Sequence, residues 1–385
     1  MSLPPLTYLA IDSLAEGIGA SQVLAYAERL SARGVEVRLH SFEKDEPAAW
    51  LRERVQDAGV TWTPHPFGRF GAAGGVKRVA TAALAARGAA LVHARSDLAA
   101  AAVLAARARH WVWDVRSLYA DQRLELGTLR AGSPQHRLLR AIERRAARRS
   151  TAVITLTEGV IPVLEARHGI SIAEKTRVIT TCVDTSRFML TPVPDPHPLH
   201  LLLAGTLNRY YDVPAMVALV AELTRRRPTA LTLATPGETP WDEILGPVVT
   251  DRIMVRPDHM PEVIGTSHVG LSVCRDDAGV SLRGSMPTKI GEFLAAGRPV
   301  VVNPGLGDAG RLLIARRCGV ALAGTAPAAV ALAADEVETL VEDPNTAQRC
   351  RQLALDHFDL DRGVDRLIDI YRRAADDVPQ GGATR

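Results

Sequence analysis

Short apolar runs alternate along the chain with longer stretches in which apolar residues recur every three or four positions. The run LTYLAI at 6–11 reads as a buried strand, followed by a loop holding Glu16, Gly17 and Gly19 and a helical pattern from 21 to about 31. Runs at 35–42, 60–64, 90–95, 111–116, 151–156 and 177–181 are strand-like, with helix-like segments between most of them. Strands alternating with helices of roughly 10 to 15 residues predict right-handed βαβ units around a parallel sheet.

Near residue 189 the pattern breaks. MLTPVPDPHP carries four prolines at alternate positions, which stiffen the chain and block helix and central strand, so 191–198 is expected to be a linker. The alternation then restarts at 199–205, 230–235, 251–255, 269–274 and 298–303. This predicts an α/β protein of two Rossmann-like parallel-sheet domains, 1–190 and 199–355. From 346 to 375 a helical stripe of Leu353, Leu355, Leu360, Val364, Leu367, Ile368 and Tyr371 is expected, with 356–385 forming a terminal helix that packs back toward the first domain and a frayed tail. Two open α/β sheets facing a cleft bind ligands outside the carboxyl ends of their strands.

Composition narrows the classes. The 385 residues suit two or three domains, and 47% hydrophobic with 23% charged residues is ordinary for a globular protein. No apolar run reaches the roughly 18 to 20 residues of a membrane span, and the first twelve residues lack a secretory pattern, so a cytoplasmic product is expected. Cys182, Cys274, Cys318 and Cys350 are far apart, which argues for buried or inert thiols over a zinc or redox motif. With 46 Lys and Arg against 43 Asp and Glu the net charge is only +3, too little for nucleic-acid binding without clustering. The one dense run, Arg137, Arg140, Arg144, Arg145, Arg148 and Arg149, reads as a solvated helix face opposite Leu138, Leu139, Ile142 and Ala146. Its second reading is peripheral contact with anionic lipid at the inner membrane face, or with an acidic partner.

The chemistry concentrates between Ser281 and Asp308. Ser285 or Thr288 can cap a helix that Pro287 helps to start, and Gly297 can end it. Lys289 and Glu292 lie three apart on one face. A helix N-terminus and an ammonium together seat a diphosphate, and the carboxylate can accept from both hydroxyls of a ribose. The plainer alternative is an exposed i,i+3 ion pair; the apolar block from Phe293 and the turn at Gly305, Leu306, Gly307 and Asp308, placed to approach the same helix tip, count against it.

This segment resembles the donor motif of retaining glycosyltransferases of the GT-B architecture, in family four. Further segments fit that family in order: Gly17–Ser21 its glycine loop, 179–184 with Phe188 its interdomain turn, Gly205–Arg209 the loop after the first strand of the second domain, and 258–262 with 267–272 the stretch before the donor site. The resemblance implies a nucleoside diphosphate sugar as co-substrate, no resident cofactor and no catalytic metal. Donor contacts are expected from Gly205, Thr206, Asn208, Met286, Pro287, Thr288, Gly305 and Gly307, with base recognition by the backbone around Met254 to Pro257. Two departures stand out. The first of the family's two glutamates falls on Gly284, and Thr206 and Asp212 occupy positions near its diphosphate-binding Arg and Lys, which moves that role to Arg209 and Lys289.

The first domain is expected to supply the acceptor side through Gly17, Gly19, Ser21, His93, Asp114 and Arg116, the acceptor being a small molecule, glycan or lipid-linked sugar. Asp114, Arg116, Tyr119, Asp121 and Arg123 should share a strand end; His93 reads more readily as a satisfied core residue, and Asp276-Asp277 as a surface turn. A dehydrogenase reading fits less well, because Gln22 stands where a third glycine belongs, although Glu43 suits its acidic residue. The expected function is therefore glycosyl transfer with retention, catalysed by Arg209, Lys289 and Glu292. The alternatives are a non-hydrolysing sugar-nucleotide 2-epimerase and a two-lobed binding protein without turnover.

Overall fold

The computed structural model describes residues 3–15 and 17–376; Glu16 of the glycine loop and the frayed tail expected at the C-terminus, beyond 376, lie outside the described residues. The chain folds as two compact units, 1–179 with the segment from 360 onward, and 180–359. The first holds seven parallel strands: β1 (Leu6–Ala10), β2 (Val37–Glu43), β3 (Thr61–Pro66), β4 (Leu91–Arg95), β5 (Trp111–Val115), β6 (Ala152–Thr155) and β7 (Thr176–Val178). Their spatial order is β3-β2-β1-β4-β5-β6-β7, with Leu6 opposite Val37 on one side and Leu91 on the other. Every residue of β1, β4 and β5 is buried, including the polar His93, Arg95 and Asp114 near the carboxyl ends of β4 and β5.

The second unit has six parallel strands: β8 (Leu199–Ala204), β9 (Thr229–Ala234), β10 (Asp251–Ile253), β11 (Val269–Ser272), β12 (Val300–Val302) and β13 (Gly319–Ala321), in the order β10-β9-β8-β11-β12-β13. β13 is the one strand of this sheet that the sequence pattern does not single out. One face of this sheet buries Leu199, Leu201 and Leu203 with Met216, Leu219 and Val337. On the other face Gly270 leaves room for Phe293, whose ring would lie 2.5 Å from a Cβ at that position.

Three expectations change. The proline-rich stretch 191–198 sits inside the second unit and is held there: Arg298 donates to the Thr191 and Pro192 carbonyls, His268 to the Pro194 carbonyl and Arg227 to that of Pro196. The terminal helical stripe is two helices, Thr346–His357 in the second unit and Leu360–Asp376 in the first. They part where the Phe358 carbonyl accepts from the Val183 N–H and Asp359 from the Thr185 hydroxyl. In helix Pro134–Arg149 the buried positions are Leu139, Glu143, Ala146 and Ala147, whereas Leu138 is exposed. Arg140 turns inward to Asp121 and Glu143, where Arg167 and His168 join the network. All four cysteines are free and buried, and no described helix is long and apolar enough to cross a membrane.

Candidate functional site

In each sheet the chain crosses over once, from β3 to β4 past β1 and from β10 to β11 past β8. The connections leaving the carboxyl ends of those neighbouring strands diverge, and such crevices take ligands in open α/β sheets.

In the second unit β8 ends at Gly205, whose φ of +91° suits glycine. A Cβ there would lie 3.6 Å from Lys289 Nζ. Lys289 sits in the first turn of helix Thr288–Ala295, and its ammonium is buried, without a hydrogen-bond partner among the described residues, 4.4 Å over the Tyr211 ring. A buried ammonium that donates no hydrogen bond is costly, so the arrangement suits an anion that would accept from it. The helix start adds to this: Pro287 occupies the cap position and no side chain caps it, contrary to the role expected of Ser285 or Thr288. Its first N–H groups carry the partial positive charge of a helix N-terminus.

Glu292 follows three residues later, half-buried. Burial pushes its carboxyl up to about 7, while Lys289 and Arg187 pull it down. The folded state thus holds this proton at a higher pH than the unfolded chain does, and stability is lost as pH rises from about 4 through 7. Glu292→Gln cannot ionise, so its melting temperature should gain on the parent's as pH rises across that window. A gap constant with pH would contradict the assignment.

The neighbours of this core are less uniform. Thr206, Asn208 and Arg209 are exposed on the loop after β8, and no contact joins Arg209 to Lys289 among the described residues; Tyr211, which sequence reasoning did not single out, meets the ammonium instead. Asp212, near the position where the resemblance leads one to expect a lysine, caps helix Val213–Arg226 by accepting from the Ala215 N–H at 3.1 Å. The Met286 carbonyl accepts from Thr181 at 2.6 Å. Gly305 does not offer its N–H to a donor, because Asp276 Oδ1 accepts it at 3.1 Å together with Asn303 Nδ2 at 2.6 Å. Asp276 is thereby a clasp on the loop that carries Gly307, and no metal-binding group of three ligands occurs among the described residues.

In the first unit the helix begins at Gly17, earlier than expected, and runs through a π-type stretch, Ala20–Leu24, into Ala25–Ala32. Ser21 is therefore in its second turn, donating to the Gly17 carbonyl. Gly19 makes a close approach to the protein's own backbone, since a Cβ would fall 1.7 Å from the Ser13 carbonyl oxygen. Glu43 accepts from Ser13, Ser41 and the Leu14 N–H, which occupies the carboxylate a dinucleotide site would need.

Asp114, Arg116, His93, Tyr8 and Gln22 do come together, lining a small pocket of about 10 Å³. Burial raises the Asp114 carboxyl, but Arg116, His93 and Arg95 overcome it and hold the group at about 2. His93 is buried and kept neutral, stacked on Tyr8, with Nε2 donating to Asp114 at 3.2 Å and Nδ1 accepting from Tyr371 at 2.9 Å. Both nitrogens are thus engaged, which leaves none for an acceptor. Arg116 bridges Asp114 and Gln22. Arg95, missed from the sequence, reaches Asp12 at 3.2 Å, while its buried Nη1 is 3.6 Å from Asp114 and makes no hydrogen bond among the described residues. After it Ser96 holds a φ of +80° at the strand-to-helix turn, strain of the kind found at functional sites. Asp121 and Arg123 leave this cluster, the former for Arg140 and Arg167, the latter for the Thr128 carbonyl.

Residues 19–187 match the model of the family named Glycosyltransferase Family 4. No curated protein matches the chain by sequence. Among solved structures, sucrose-phosphate synthase from Thermosynechococcus elongatus superposes with a TM-score of 0.71 at 16% identity, over 96% of this chain and 98% of that one. A glycosyltransferase from Rickettsia africae gives 0.70 at 13%, over 97% and 99%. HepE from Anabaena, in complex with UDP and glucose, gives 0.66 at 14%, over 95% and 98%. The chain thus has the GT-B fold of these glycosyltransferases, and the family-4 model matches it over residues 19–187.

Proposed function

We propose that the protein transfers a sugar from a nucleoside diphosphate sugar to an acceptor, with retention of anomeric configuration. The observation that carries this reading is the buried, unpartnered Lys289 ammonium beside Gly205 at an uncapped helix start, with Glu292 one turn on. The HepE complex with UDP and glucose, a protein of the same fold, supports a nucleoside diphosphate donor. In the proposed mechanism Lys289, the helix N–H groups and Arg209 stabilise the departing diphosphate as the bond from its oxygen to the anomeric carbon breaks. The acceptor oxygen bonds to that carbon from the same face, and its proton passes to a diphosphate oxygen, so no protein nucleophile and no metal is required. Glu292, ionised, accepts from the two ribose hydroxyls. Arg116 and Arg95 of the first unit suit an acceptor with anionic or hydroxyl groups, since a guanidinium stays charged and donates in a fixed fork.

The test is thermal stabilisation by UDP, GDP, ADP, CDP, dTDP and NAD at equal excess. A ligand at about 100 times its dissociation constant stabilises by roughly 2.7 kcal/mol. One nucleoside diphosphate should raise the melting temperature of the parent and not of Lys289→Ala. Stabilisation by NAD alone, or an equal response of the variant, would overturn the assignment.

A further inference from the structure

The net charge of +3 conceals a segregation of charge on the first unit. Helix Ser96–Ala106 packs against both Gly71–Ala86 and Pro134–Arg149, so the three form one layer. From 58 to 113 the only acidic residue is Asp97, which is buried, whereas Arg69, Lys77, Arg87, Arg107 and Arg109 are exposed. Helix Gly71–Ala86 carries an apolar stripe on its exposed side, the reverse of the usual arrangement for a surface helix. Val76 is 69% exposed and Leu84 67%, Ala73 and Ala80 complete the stripe, and Phe70 just before the helix is 77% exposed. Arg69 and Lys77 flank it, both exposed. On helix Pro134–Arg149, Leu138 is 56% exposed among exposed Arg137, Arg144, Arg145 and Arg148, while its one acid, Glu143, is buried against Arg140, Arg167 and His168.

We propose that this three-helix layer seats the protein on an anionic lipid surface, with Phe70, Val76, Leu84 and Leu138 entering the boundary between headgroups and acyl chains and the arginines facing lipid phosphates. Large exposed apolar side chains in one surface mark an interaction site, and basic residues beside them match an anionic membrane. A second copy docked on the same face would set arginine against arginine, and like charges brought together are costly. The basic helix visible in the sequence is one part of this surface. Its apolar counterpart, helix Gly71–Ala86, becomes evident only through its exposure. The inference is independent of the proposed sugar transfer.

Vesicle sedimentation of the full chain tests it, using phosphatidylcholine alone and phosphatidylcholine mixed with phosphatidylglycerol. The protein should sediment with the mixed vesicles only, and less so as salt is raised. Arg144→Gln with Arg145→Gln should weaken partitioning by roughly fivefold per arginine. Val76→Ser with Leu84→Ser should weaken it at constant charge, and both pairs, being exposed, should leave the melting temperature and the nucleotide-induced shift unchanged. Failure to bind mixed vesicles, equal binding to both kinds, or a dimer that the Val76→Ser, Leu84→Ser variant dissociates would each overturn the proposal. None of these results bears on the nucleotide assay, so the two readings fail separately.

Discussion

Lys289→Ala should lower the rate of sugar transfer at saturating donor by on the order of 100- to 1,000-fold, the usual scale for removing one donor aimed at developing negative charge. The same substitution should leave the melting temperature of the unliganded protein unchanged or raised. The two expectations together separate a ligand-binding role from a structural one. A structural lysine would be hydrogen-bonded, and its loss would strand a partner; this ammonium has no hydrogen-bond partner among the described residues, so its removal relieves a buried charge and strands no donor or acceptor, and the Glu292 carboxyl, losing the charge that pulls it down, stays protonated to higher pH. Lys289→Met sharpens the comparison, because an unbranched apolar side chain still packs on the Tyr211 ring 4.4 Å from the lost charge. If either variant keeps full transfer activity at low donor concentration, the donor site lies elsewhere. If either unfolds markedly earlier, Lys289 is part of the scaffold.

Arg298→Met should destabilise the protein by on the order of 2–4 kcal/mol, read from denaturant midpoints at constant slope. Arg298 is completely buried, and its hydrogen bonds among the described residues go to no carboxylate. Its guanidinium donates instead to the Thr191 hydroxyl at 2.7 Å and to the carbonyls of Gly265 at 2.9 Å, Pro192 at 3.0 Å and Thr191 at 3.3 Å. Methionine fills similar space but removes the donors to half-buried Thr191 and Gly265 and to exposed Pro192, and a hydrogen bond from a charged group contributes about 1.5–3 kcal/mol, offset in part by the arginine's own desolvation. Because the proline-rich stretch supplies most of these acceptors, limited proteolysis should cut near 191–198 sooner in the variant. A midpoint unchanged in the variant would show that the carbonyls find other partners and that Arg298 does not hold this segment.

The strands were legible because burial on both faces writes them as mostly apolar runs, broken only by Thr7 in Leu6–Ala10 and by Asp114 in Trp111–Val115. Lys289 and Glu292 were legible because three-residue spacing on a helix places them on one side whatever surrounds it. The helix that starts at Gly17 was placed late, since its first turn is set by the approach of Gly19 to the Ser13 carbonyl, a contact between backbone groups that residue types do not encode. Asp121 and Arg123 were grouped with Asp114 because they are neighbours in sequence. In the fold they turn to Arg140, Arg167 and Thr128, and Arg95 from the adjoining strand takes their place.

Periodicity and residue type alone therefore determined two sheets of parallel strands and the helix that bears Lys289 and Glu292, while the division expected near residue 189 falls between 179 and 180. Tertiary structure decided which polar groups are spent on the scaffold and which are left over. Asp212 becomes a helix cap, Glu43 and Asp276 hold loops, His93 is locked between Asp114 and Tyr371, and Arg298 binds carbonyls, while the ammonium of Lys289, beside Gly205 and over the Tyr211 ring, has no hydrogen-bond partner among the described residues. The reason is that hydrogen bonding is settled by proximity in space, and the partners here stand as far apart as residues 93 and 371. A chain can state which groups need partners, but only the packed fold distributes them.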